Sequence, residues 1–103
     1  MKQEQTIRSL VDELTAYCAP QYVYLFSAKT DPADDLLSFK LCIVIDTQDK
    51  DRLEHDLYLE LDCEYPFDIV IYTEEEWERF TKKENSFAKT IFEKGRLIYG
   101  KEK

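Results

Sequence analysis

Apolar residues recur at helical spacing through Ile7, Leu10, Val11, Leu14 and Tyr17, with Arg8, Asp12 and Glu13 off the stripe. Side chains three and four apart share one face of a helix, so this spacing predicts an amphipathic helix. Pro20 stops it, because proline has no backbone donor to continue the ladder. The period then changes. Residues 22–26 are a dense aromatic and β-branched run that predicts a strand. Residues 27–37, which contain Asp31-Pro32 and Asp34-Asp35, read as a loop. Residues 39–45 are apolar on both faces except at Lys40, which predicts a strand in the middle of its sheet.

Residues 46–50 break that strand, and Leu53, Leu57 and Leu61 then recur at helical spacing with charges between them. After a turn at 62–66, residues 67–72 predict a third strand. Thr73 followed by Glu76 spells a capping box, in which each side chain satisfies a free backbone N–H of the other. The helix it opens carries Trp77 and Phe80 on its apolar side. Residues 86–94 predict a last helix with Phe87, Ile91 and Phe92 inward. Gly95 stands where a left-handed helix end is expected, and residues 96–99 predict a short final strand. The order α-β-β-α-β-α-α-β predicts an α/β (α+β) domain: helices packed on a small mixed sheet of about four strands. At 103 residues the chain has room for one core, so residues 1–103 are expected to form a single domain.

Charge and cysteines narrow the function classes. The formal net charge is −8, which repels phosphates and argues against nucleic acid as a partner. It suits a soluble protein or one that meets a basic partner. Cys18, Cys42 and Cys63 are widely spaced, and His55 is the single histidine. No zinc-ligand spacing results, so no metal site is expected from them. Residues 1–5 are polar and no apolar run is long enough to span a bilayer, which predicts a cytoplasmic protein without a membrane partner.

The segments Tyr24-Leu25-Phe26-Ser27, Lys40-Leu41-Cys42-Ile43-Val44 and Phe67-Asp68-Ile69-Val70 resemble the minimal nucleotidyltransferases of the polymerase-β-like superfamily. So does the closing stretch, from the Thr73-capped helix through Ile91-Phe92-Glu93-Lys94-Gly95 into Leu97-Ile98-Tyr99. The resemblance implies a nucleotidyltransferase-like fold. In that family a Gly-Ser turn lets the backbone approach phosphates, and Asp-x-Asp on the next strand holds Mg²⁺ with a third carboxylate from a neighbouring strand. Two residues apart on a strand, the aspartates share a face, and the paired metals orient the triphosphate.

Position by position, this chain departs from the pattern. Phe26 replaces the glycine before Ser27, the first aspartate position falls on Ser38, the second on Lys40, and only Asp68 matches a carboxylate. An ammonium about 4 Å from a divalent cation costs roughly 8 kcal/mol at an effective dielectric near 20, more than one carboxylate offsets. Ser38, Lys40 and Asp68 are therefore expected to be vestigial, with no catalytic residue, no metal and no cofactor. Lys40 is expected either to pair with Asp68 across neighbouring strands or to extend into solvent. Ser27 and Lys29 remain as weak candidates for a phosphate contact. Asp31, Asp34 and Asp35 read as turn formers. Asp49, Asp51 and Glu74–Glu76 read as charges at helix starts, and Trp77, Phe80, Phe87 and Phe92 as core.

The resemblance thus implies a degenerate domain that acts by binding a protein, an antitoxin-like partner of a HEPN-type ribonuclease being one form. A homodimer stays open. The alternative is an active Mg²⁺- and NTP-dependent nucleotidyltransferase that uses Asp68 with Asp34 or Asp35. A third reading is a nucleotide sensor that binds through Ser27 and Lys40 without turnover.

Overall fold

The most apolar stretch of the chain becomes the middle of the fold. In the computed structural model, which describes the backbone of residues 2–100 and the side chains of residues 5–100, strand β2 (Leu36–Val44) lies between two partners. It pairs antiparallel with β1 (Tyr22–Thr30) and parallel with β3 (Phe67–Tyr72), while β4 (Arg96–Tyr99) adds antiparallel to β1. The sheet order is β3-β2-β1-β4. Four helices complete the element order: α1 (Lys2–Tyr17), α2 (Lys50–Glu60), α3 (Glu74–Thr81) and α4 (Phe87–Lys94). The result is the small mixed α+β fold that the element order predicts. Met1 and residues 101–103 lie outside the described residues.

Each face of the sheet carries its own core, because the pleat sends alternate residues of β2 to opposite sides. Phe39, Leu41 and Ile43 pack with Ile7, Leu10, Val11 and Leu14 of α1 and Leu57 of α2. Cys42 and Val44 point the other way and pack with Tyr24, Trp77 of α3, and Ala88 and Ile91 of α4. Burying both faces explains why β2 reads as a nearly continuous apolar run.

Helix ends follow their local chemistry. Asp49 is the N-cap of α2, its side chain accepting from Arg52 N at 3.0 Å. Both bonds of the Thr73–Glu76 capping box form at the start of α3. Glu76 also pairs with Lys50 at 2.9 Å, tying α3 on one face to α2 on the other around the end of the sheet. The Thr73 backbone N–H, then the Lys50 ammonium, hold the Glu76 carboxyl below its ordinary value. At the outer edge of β3, the backbone N–H of Ile69 donates to the Tyr58 hydroxyl at 2.8 Å. That bond satisfies one of the donors that would otherwise invite another strand.

Three expectations are corrected. The loop at 27–37 contracts to residues 31–35, because β1 continues to Thr30 and β2 begins at Leu36. Asp31 makes so short a connection workable: its Oδ1 accepts from the backbone N–H of Ala33 and of Asp35, both at 2.9 Å. Asp34 takes the left-handed conformation with φ 67, which Asp tolerates because its short polar side chain bonds locally. Gly95 is not left-handed, having φ −75 and ψ 164. A Cβ there would meet the Ile91 carbonyl oxygen at 2.5 Å, so the glycine supplies space for the turn out of α4. Finally, Phe87 is 52% exposed and Phe92 44%. The inward stripe of α4 is Ala88 and Ile91, and Phe87 lies edge-on to Phe26 at 5.4 Å instead.

Candidate functional site

The hairpin and the parallel pairing place the sequence-derived candidates in two adjacent rows. Ser27 of β1 is opposite Lys40 of β2, and Lys40 is opposite Asp68 of β3. Lys29 is opposite Ser38. Residues opposite one another project from the same face, so Ser27, Lys40 and Asp68 form one line across three strands. Lys29 and Ser38 form the line nearer the hairpin loop. Both lie on the face carrying Cys42 and Val44, beyond the part that α3 and α4 cover. Lys29, Lys40 and Asp68 are exposed, and Ser27 and Ser38 are half-buried.

Lys40 and Asp68 are thus neighbours in register, but no ion pair joins them, and both side chains lie in solvent at the open end of the face. Extension of Lys40 into water, the second of the two expectations, is the one realised. An exposed ammonium keeps its hydration, whereas holding two mobile side chains in one geometry gains little in high dielectric.

The backbone at Ser27 differs from a phosphate-binding turn. A bulge between Leu25 and Ser27 sets Phe26 against no residue of β2, and Ser27 itself stays in the ladder. The bulge swings Phe26 toward α4, where its ring meets Phe87. The chain therefore passes straight through the position where the resemblance places a turn, and the N–H groups of residues 27–30 run along a strand.

Asp34 and Asp35 sit in the hairpin loop, both exposed. At about 3.3 Å per strand residue, the five steps from Asp35 to Lys40 put Asp35 roughly 15 Å from the row that holds Asp68. Two carboxylates sharing a cation must bring their oxygens within about 3 Å of each other around it. Among the described residues, no group of three His, Cys, Asp or Glu side chains comes together in a way that could hold a metal ion. Cys18, Cys42 and Cys63 are free thiols, and burial pushes Cys42 up to about 12. His55 is exposed on α2.

No family model, curated protein or solved structure matches the chain. Among the described residues no helix is long and apolar enough to cross a membrane.

Proposed function

We propose that the chain is a nucleotidyltransferase-like domain that works by binding rather than by turnover, with a basic protein surface as its partner. The observation that carries this reading is the row Ser27–Lys40–Asp68. Where the resemblance asks for carboxylates converging on a cation, the row offers one carboxylate beside one ammonium. A divalent ion there would have Asp68 as the one carboxylate of the row and a lysine, not a second carboxylate, opposite it on β2. β1 continues as a strand past the Phe26 bulge through Ser27, where a triphosphate-binding site would need a turn. The net charge of −8 favours a basic partner, because complementary fields speed encounter and fix orientation. An antitoxin-like role beside a HEPN-type ribonuclease is one form of this proposal.

Titration calorimetry with ATP, CTP, GTP and UTP, each with and without Mg²⁺, tests it. The wild-type chain is expected to give no Mg²⁺-dependent heat at millimolar nucleotide. The double variant Ser38→Asp/Lys40→Asp restores the missing carboxylates on the same face as Asp68 and is expected to acquire Mg²⁺ binding. Mg²⁺-dependent nucleotide binding by the wild type would overturn the reading in favour of the active enzyme. Nucleotide binding without Mg²⁺, abolished by Lys40→Ala, would favour the sensor. In a second arm, a sedimentation experiment with a HEPN-type protein is expected to give a complex that dissociates as salt rises. A complex indifferent to salt would remove the electrostatic basis.

A further inference from the structure

Nearer the start of β1, the same sheet face opens into a cavity of about 370 Å³ between β1, α3 and α4. That volume falls in the range of about 300–1,000 Å³ usual for small-molecule sites. Its walls are aromatic: Tyr22, Tyr24, Trp77 and Phe92 all line it. Tyr24 and Trp77 are buried and form the floor, whereas Phe92 is exposed and forms an outer wall. The ring centroids lie 5.2 Å apart for Tyr24 and Trp77, 6.3 Å for Tyr22 and Tyr24, and 6.3 Å for Trp77 and Phe92. The interplanar angles of 36°, 48° and 77° show walls set at different inclinations rather than one parallel stack.

Two carboxylates complete the lining. Glu74 and Glu78 stand one turn apart on α3 with Trp77 between them. The Gln21 side-chain amide donates to Glu74 Oε2 at 2.9 Å, which holds that carboxylate in place and leaves it further acceptor capacity. The Glu78 carboxylate has no hydrogen-bond or ion-pair partner among the described residues; its backbone carbonyl accepts from the Thr81 hydroxyl at 3.3 Å. Lys82, the C-cap residue of α3, also lines the cavity; it lies two turns from Glu74 but only one turn from Glu78. With two carboxylates against one ammonium, the lining is negative overall, most so at the Glu74 end, and aromatic.

Those two properties select the same ligand. The faces of aromatic rings carry negative potential and attract cations, most strongly in the case of Trp. Carboxylates add to that attraction. An anion would be repelled by both groups, and a neutral apolar ligand would strip water from the carboxylates without replacing it. We propose that this cavity binds a compact organic cation with an apolar body, an alkylated ammonium or a guanidinium. The source is either a free small cation or a basic side chain presented by a protein. The site is separate from the Ser27–Lys40–Asp68 row and does not depend on how that row is read.

Trp77 is the single tryptophan of the chain and lines this cavity, so its emission responds to what enters it. The full chain is titrated with choline, with a short arginine-containing peptide and with the neutral carbon isostere of choline, at constant ionic strength. Choline or the peptide is expected to change the emission saturably with a midpoint below about 10 mM, and the neutral isostere to bind about tenfold more weakly. Tighter choline binding identifies a free cation as the ligand, and tighter peptide binding a protein side chain. Glu78→Gln alters an exposed, partnerless side chain and is expected to weaken binding about fivefold while leaving the fold intact. Phe92→Leu is expected to weaken it by about as much. No saturable response to either cation, an isostere that binds as well as choline, or an unchanged midpoint for Glu78→Gln would each overturn the proposal.

Discussion

Removal of Glu76 tests whether the fold is held at the end of its sheet by one carboxylate with two jobs. Its side chain accepts from the Thr73 backbone N–H at 3.0 Å and from Lys50 Nζ at 2.9 and 3.0 Å. The capping bond is worth about 1 kcal/mol, by analogy with N-cap losses of about 0.5–2 kcal/mol. The Lys50 side chain is 39% exposed, so the pair belongs with surface ion pairs and adds only about 0.5 kcal/mol. Glu76→Ala should therefore cost about 1.5 kcal/mol, a fall of roughly 10 °C in Tm for a chain of this size. Lys50→Ala should cost only about a third of that, and the double variant should fall short of the sum by about 0.5 kcal/mol.

The sign of the pH dependence follows from the lowered carboxyl. A group held below its ordinary value of 4.5 in the folded chain contributes stability that is complete above 4.5. That contribution is lost as pH falls through the depressed folded value. Glu76→Gln keeps an oxygen for Thr73 but carries no charge, so its Tm deficit should be present at pH 7 and should shrink on acidification. Calorimetric or circular-dichroism melting of the wild type and the three single variants between about pH 7 and pH 3 reads both effects. A Glu76→Ala loss no larger than that of Lys50→Ala would refute the capping assignment. A Glu76→Gln deficit independent of pH would refute the charge assignment.

Two further outcomes concern particular side chains. Gly95→Ala places a Cβ 2.5 Å from the Ile91 carbonyl oxygen in a backbone of ordinary negative φ. It should destabilise by about 1–3 kcal/mol in urea unfolding through the clash alone, and a neutral result would mean that α4 ends more loosely than described. The thiol of Cys42 is buried between the sheet and α3–α4 and pushed up to about 12. Ellman's reagent at pH 8 should label the half-buried Cys18 and Cys63 in the folded chain and reach Cys42 only on unfolding. Rapid labelling of all three cysteines would place Cys42 nearer the surface than the structure does.

Much of the architecture was legible in the chain because it is written in local periodicity. The stripe from Ile7 to Leu14, the two-faced apolar run of β2 and the Thr73–Glu76 spelling each depend on neighbours within one turn or one strand. They read correctly without any knowledge of the fold. The far half of β1 was illegible for the same reason. Ser27, Lys29 and Thr30 bury little apolar surface, so their strand conformation comes from the ladder to β2, a partner that only the closed hairpin supplies. α4 has apolar residues at 87, 88, 91 and 92, and its spacing favoured the large Phe87 and Phe92 beside Ile91 as the inward set, which the structure corrects. Packing against β1 chose Ala88 and Ile91, whose smaller and branched side chains fit between helix and sheet.

The candidate chemistry divides along the same line. Substitution of the acidic motif by Ser38 and Lys40, and the survival of Asp68, can be read directly from the letters. That Ser27, Lys40 and Asp68 stand in one row is a product of two strand pairings, one antiparallel and one parallel, between segments far apart in sequence. The aromatic cavity lay further out of reach. In the sequence Glu74 reads as a charge at a helix start, Trp77 and Phe92 as core, and Tyr22 and Tyr24 as part of a strand. The signal available was two glutamates one turn apart with a tryptophan between them. Sequence alone determined which residues are apolar and at what period; only the tertiary structure decided where their packing leaves a space, because a cavity belongs to three elements at once and to the pattern of none.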